Sequence, residues 1–215
     1  ILLVLFAVSI SAFRLFLPYA HHYKTVFEDY INSTFNANVQ IESISMRWQE
    51  FGPTLIATNI NLLRTQTSAI DIEKMDIRVN FWDSITSRKL ISHYLTLDGV
   101  KVSFDQTADS RGKLPANEEA LLDNISNLFL KQLGQFSVND SEVIVKKHDG
   151  DRIFKINHLN WLNKGNTHKA SGDVRVDGVS SNHLKLMVNL KGGKRENLAG
   201  KVYLQASELN ITPWL

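Results

Sequence analysis

The residues able to do chemistry in this chain are seven histidines and a scatter of carboxylates, with no cysteine at all. The missing thiols remove disulfides, thiolate-ligated zinc and a cysteine nucleophile, but leave the compartment open. His21 and His22 are neighbours, and on a helix they point to different sides, which makes them poor joint ligands. No H-E-x-x-H, G-x-S-x-G, P-loop or G-x-G-x-x-G pattern occurs. Asp105, Thr107 and Asp109 open like a calcium loop. Its sixth and twelfth positions, however, are Ser110 and Ala116, where the chemistry requires Gly and Glu. The Asn-x-Ser/Thr triplets at Asn32, Asn124, Asn139 and Asn210 are of a kind that polar sequence produces by chance. The histidines are therefore expected at the surface, and neither an enzyme, a metal nor a cofactor is expected. A net charge of +2, without a basic patch interleaved with aromatics, gives no case for nucleic acid.

What the sequence does hold is elements with one apolar face. Hydrophobic residues make up 43% and charged residues 21%, enough for a sizeable buried surface. The chain is organised around residues 70–104. There Ile77, Val79 and Phe81 alternate with Arg78 and Asn80. Leu95 and Leu97 alternate with Thr96 and Asp98, and Val100, Val102 and Phe104 with Lys101 and Ser103. A period of two gives each strand one apolar and one polar face. The stretch reads as strand, two helical turns over Trp82–Arg88 at the sheet edge, strand, tight turn, strand.

In chain order, residues 1–18 read as a membrane anchor. Only Arg14 is charged in the first 17 residues, against the roughly 20 apolar residues a spanning helix needs. Leu2, Leu5, Phe6, Phe13 and Phe16 would contact the membrane, and Arg14 would snorkel toward the headgroups. A cleaved signal peptide and a buried core helix are the alternatives, and no small-residue cleavage site follows. The first residue is Ile1, so the anchor is expected to be cut short there. Pro18 ends it. Residues 19–36 read as an amphipathic helix with Tyr23, Val26, Phe27, Tyr30, Ile31 and Phe35 on one stripe. The opposite side carries His22, Lys24, Glu28 and Asp29. From Asn38 the chain alternates. The phase slips between Ile41 and Ile44, and again between Ile72 and Met75 or Ile77, and each slip predicts a bulge that bends the sheet. Asp105–Asn117 reads as a loop, and Asn117 caps a helix to about Leu133, with Gly134 beyond it. Strands then resume, with a turn at His148–Asp151, a loop at Asn163–His168 and a turn at Gly192–Gly193. The whole of 37–215 is expected to be a β-region that continues past its last residue, and short strands with frequent turn signals predict an antiparallel meander.

Strand after strand shows an uninterrupted apolar face, with two amphipathic helices to cover part of it. Either the apolar faces cover each other in a sandwich or barrel core, or the face is left open as a groove, since large exposed apolar surface marks a binding site. The groove reading takes Met46, Trp48, Ile56, Ile60, Leu62, Ile77, Val79, Phe81, Leu95, Leu97, Val102 and Phe104 as lining. Further along it adds Val143, Val145, Val174, Val176, Leu186, Val188, Val202 and Leu204.

Two segments favour the groove by resemblance. One runs from Leu17-Pro18-Tyr19 through Val39-Gln-Ile41-Glu and Arg47-Trp48 to Phe51-Gly52-Pro53. The other carries Phe81-Trp82-Asp83-Ser84, Arg88-Lys89-Leu90 and Leu95-Thr96-Leu97-Asp98-Gly99. Together with Leu209-Asn-Ile-Thr-Pro-Trp214 they resemble the N-terminus of the AsmA-like family, most closely its large YhdP-type members from Gram-negative bacteria. The resemblance implies a single-pass inner-membrane anchor and a long, curved periplasmic β-structure with an apolar interior. It implies the movement of phospholipids toward the outer membrane and no catalytic residues. The expected partners are phospholipids, the inner membrane, the rest of a longer chain and other envelope proteins. The alternative is a structural β-sandwich that tethers or assembles envelope proteins with no lipid path.

Overall fold

In a computed structural model of the chain, the described residues are 4, 8, 11, 19, 21–22, 24–35, 38–49, 52–64, 68–80, 86, 92–105, 126–148, 150–176, 183–193 and 195–206. They form one mainly β unit: a helix followed by a single nine-stranded sheet. The helix, α1, is Lys24–Phe35. The strands are β1 Gln40–Gln49, β2 Gly52–Arg64, β3 Ser68–Val79, β4 Ser92–Asp105, β5 Gln135–Lys146, β6 Arg152–Lys164, β7 Thr167–Val176, β8 His183–Lys191 and β9 Ala199–Ala206. The spatial order of strands equals their chain order, and β1 and β9 are not paired, so the sheet is open and curved rather than a barrel. No second sheet faces it among the described residues. The open, curved sheet is the arrangement expected, and the sandwich alternative is not found.

Every neighbouring pair is antiparallel except β4 and β5, which are parallel. This corrects the expected meander. A parallel pair needs a crossover of a dozen or more residues, and the connection between Asp105 and Gln135 supplies it. Its described end is a π-helical turn, Leu128–Gln132. The rest of the expected 118–133 helix lies outside the described residues. So do Phe81, nearly all of the Trp82–Arg88 crossing, and the anchor residues Leu2, Leu5, Phe6, Phe13, Arg14 and Phe16. No helix among the described residues is long and apolar enough to cross a membrane. Val4, Val8 and Ser11 are helical and exposed.

β4 is one continuous strand, so the expected turn at Gly99 is instead a kink within it. Gly99 has φ +65°, a left-handed backbone that side chains disfavour. A Cβ there would meet Glu73 Oε2 at 2.6 Å. The kink belongs to a line. Asn59 and Asp140 also have positive φ, 48° and 45°, and the paired registers on either side place Glu42, Asn59, Glu73, Gly99 and Asp140 on one transverse row. Asn157 extends the row to β6, where the register shifts between Ile156 and His158. At this line the apolar spacing jumps from two to three: Ile41 to Ile44, Ala57 to Ile60, Ile72 to Met75, Leu97 to Val100. An extra residue at one height in adjacent strands bends all of them together. The core lies on one side, where Val39, Ile41, Ile44, Ala57, Ile60, Ile72, Leu95, Leu97, Leu133 and Phe136 form a buried cluster.

Candidate binding face

Because paired residues share a face, the registers define continuous rows across the sheet. One is Met46–Leu55–Ile77–Leu95–Phe136–Trp161–Ala170–Val188–Val202. The next is Ile44–Ala57–Met75–Leu97–Val138–Leu159–Gly172–Leu186–Leu204. Neither row contains a polar side chain from the first strand to the last. Beyond the kink line, Ile70, Val102, Val143 and Phe154 make a third. The apolar track thus runs perpendicular to the strands, along the direction in which strands are added.

The opposite face answers it with a polar row: Ser43–Thr58–Lys74–Asp98–Asn139–His158–Asp173–Lys185–Gln205. Several neighbours along it are joined by polar contacts. Ser43 and Thr58 hydroxyls lie 2.7 Å apart. Lys74 Nζ is 2.9 Å from Asp76 and 3.8 Å from Asp98. Asn139 Nδ2 donates to Asp98 Oδ1 at 2.8 Å. That fixes Asn139 Oδ1 as the acceptor toward His158 Nδ1, 2.9 Å away. His158 Nε2 lies 2.7 Å from Asn160 Nδ2, which donates to it. The row runs beside the kink line and ties strands together where the backbone departs from regular pleating.

Most expected lining residues share the apolar face. Met46, Leu62 and Ile77 pack against the core cluster, and Ile60, Leu95 and Leu97 belong to it. Trp48 continues the alternation of β1, whereas the β3–β4 register shifts between Arg78 and Val79, and Val79 pairs with Ser92. Val102, Phe104, Val143, Val145, Val174, Leu186, Val188, Val202 and Leu204 follow on the same side. Ile56 does not. It pairs with Ser45 and Asp76 on the polar side, and Leu55 and Ala57 take its place. The three-residue step at Asn59 reverses the parity that Ile56, Thr58 and Ile60 suggest. Val176 ends β7, and its side chain lies outside the described residues.

Cover over this face is uneven. Phe27 and Ile31 of α1 pack on it at the β1 end. Val26, expected on the same stripe, is exposed. Phe129 and Leu133 pack on it near Phe136 and Trp161, with Phe129 edge-on to Phe136 at 4.6 Å and Phe136 stacked on Trp161 at 5.6 Å. Toward β9 the face opens: Val202 and Leu204 are 56% and 62% exposed.

Polar residues missed as candidates hold these covers. Glu28 Oε1 accepts from Ile41 N–H at 2.7 Å, and Asn32 Oδ1 accepts from Val39 N–H at 2.6 Å. Two side chains one helical turn apart thereby take the main-chain donors where the sheet's free edge begins, Val39 just before β1 and Ile41 within it. Asn163 and His168 are not loop residues. They face each other across β6 and β7, whose turn is only Gly165–Asn166. His168 is buried, its ring nitrogens 2.6 Å from Asn163 Oδ1 and 2.7 Å from Gly192 O. His21 and His22 also depart from expectation. They sit in a tight 3₁₀ turn with ring centroids 4.0 Å apart. Among the described residues no group of three or more His, Asp or Glu side chains could hold a metal.

An open, one-sided β-sheet carrying an unbroken apolar track offers a surface along which an extended apolar ligand can lie. The family described as YhdP protein matches residues 1–215. The chain belongs to that family, and the AsmA-like resemblance holds. It is 28% identical over 217 residues to the intermembrane phospholipid transporter YhdP of Escherichia coli strain K12. The match covers all of this chain and 17% of that relative.

Proposed function

We propose that this chain is a membrane-proximal segment of a lipid transfer protein, its apolar face conducting phospholipids between the inner and outer membranes. The observation that carries the reading is the pair of apolar rows that cross all nine strands without interruption. An acyl chain of about sixteen carbons costs on the order of 12 kcal/mol to move through water. A continuous apolar track removes most of that barrier at every step, while the headgroup stays in water at the open side. The relative's name, an intermembrane phospholipid transporter, supports the same substrate class. On this reading residues 1–18 hold the segment in the inner membrane, the β-region lies in the periplasm, and the segment makes and breaks no bond. The experiment is photo-crosslinking in cells with the full-length protein. Probes at Leu186 or Val188 are expected to capture phospholipid, and probes at Lys185 or Met187, on the other face of the same strand, are not. Capture on the polar face alone would overturn the assignment.

A further inference from the structure

Cover over the apolar track is uneven along its length, and one residue bonds to the segment that supplies part of it. The chain crosses from β4 to β5 and ends its connection in the turn Leu128–Gln132, which sets Phe129, Leu130 and Leu133 down on the sheet. The last carbonyls of a helical segment have no partners within it. Here Asn163 takes them. Its Nδ2 donates to Phe129 O and to Leu133 O, the latter at 2.7 Å, and its backbone N donates to Gly134 O at 2.8 Å. The amide cannot turn over without loss, because its Oδ1 already accepts from Trp161 Nε1 at 2.6 Å and faces His168 Nδ1 at 2.6 Å. His168 is anchored in turn on Gly192 O. The clasp is therefore built from β6, β7 and the β8–β9 connection, and it grips a π-helical turn, a geometry that favours functional positions. On one side of this turn Leu95 and Leu97 are 4% and 6% exposed. On the other, Leu186 and Val188 are half-buried and Val202 and Leu204 largely exposed.

We propose that Leu128–Leu133 is a plug seated on the lipid track and that Asn163 is its positioning residue. With the clasp closed, an acyl chain reaches the β7–β9 stretch but not the floor at Leu95 and Leu97. Releasing the carbonyls frees the turn to lift and joins the two stretches. The proposal rests on the lipid-transfer reading. Its own content is that access to the first half of the track is set by one side-chain amide.

Asn163→Asp tests it in the full-length protein. The variant keeps the size and the oxygen that accepts from Trp161, but replaces the donor to two carbonyls with an acceptor. Photo-crosslinking probes are placed at Leu97 and Leu186, with and without the substitution. The expected result is a severalfold rise in phospholipid capture at Leu97, unchanged capture at Leu186, and faster amide exchange over residues 129–134 with β5 and β6 protected as before. Phe129→Ala, which leaves the clasp intact and removes the ring seated on Phe136, is expected to raise Leu97 capture in the same sense. Undiminished capture at Leu186 with no rise at Leu97 in either variant overturns the plug and leaves the lipid track standing. Capture at Leu97 in the unaltered protein equal to that at Leu186 also overturns it. Capture at neither position in any background overturns the lipid-transfer reading itself.

Discussion

At the scale of single residues, the sheet depends on a few positions that break its regularity. Gly99 is one. Its left-handed backbone and the 2.6 Å approach to Glu73 leave no room for a side chain. Gly99→Ala is expected to cost about 1–3 kcal/mol, read as a lowered thermal midpoint. Asn139 is another, since it bonds to Asp98 and His158 at once. Asn139→Leu removes both bonds, and because His158 is exposed and Asp98 partly so, water replaces them in part; chemical denaturation is expected to show a loss of about 0.5–1.5 kcal/mol. Part of this was readable beforehand. The slips at Ile41–Ile44 and Ile72–Met75 leave two apolar residues three apart, a visible break in a period of two. The same step in β2 is hidden, because Ile56, Thr58 and Ile60 imitate regular alternation while the true inward residue, Ala57, is small. In β4 the step falls on a glycine, which looks like a turn. Asn163 and His168 were obscured for a different reason. Polarity marks a residue that needs hydrogen bonds, and sequence does not say whether water or a buried partner provides them.

At the scale of elements, α1 does two jobs with two faces. Phe27 and Ile31 cover apolar surface, which its helical spacing announced. Glu28 and Asn32 accept from the amides of Ile41 at the start of β1 and of Val39 just before it, which no helical pattern announces, because main-chain amides look alike in every sequence. An unoccupied strand edge recruits other strands. The double substitution Glu28→Ala, Asn32→Ala is expected to lower stability by about 2–4 kcal/mol if the two losses add. It should also raise the apparent mass in light scattering as β1 edges pair between molecules. An unchanged mass with lowered stability would mean that the helix contributes packing alone. The connection between β4 and β5 shows the limit of strand-by-strand reading. The spacing predicts a helix between two strands but not the parallel pairing it permits, since turn signals elsewhere point to hairpins throughout.

At the scale of the molecule, the two faces have separable duties, and they should fail separately. Val202 is 56% exposed, so Val202→Asp is expected to shift stability by no more than about 0.5 kcal/mol. It places a charge at the β9 end of the nine-strand apolar row, and phospholipid capture at Leu186 should fall at least tenfold while the melting curve stays in place. The one-sidedness of the strands was legible from residues 70–104 onward. Whether those faces would close on each other or stay open was not, because alternation fixes which side is apolar and says nothing about what lies opposite.

The identity of spatial and chain order reaches beyond the finished fold. A strand leaving the ribosome or a translocation channel finds its template in the strand made just before it, so the sheet can zip in one direction with little searching and low contact order. α1 is made before β1 and is ready to stop growth at that end, which leaves the newest strand as the growing edge. The exception is the wait between β4 and β5, while the connection from Asp105 to Gln135 is synthesised. During that pause β4 is a bare edge, open to mispairing until β5 arrives.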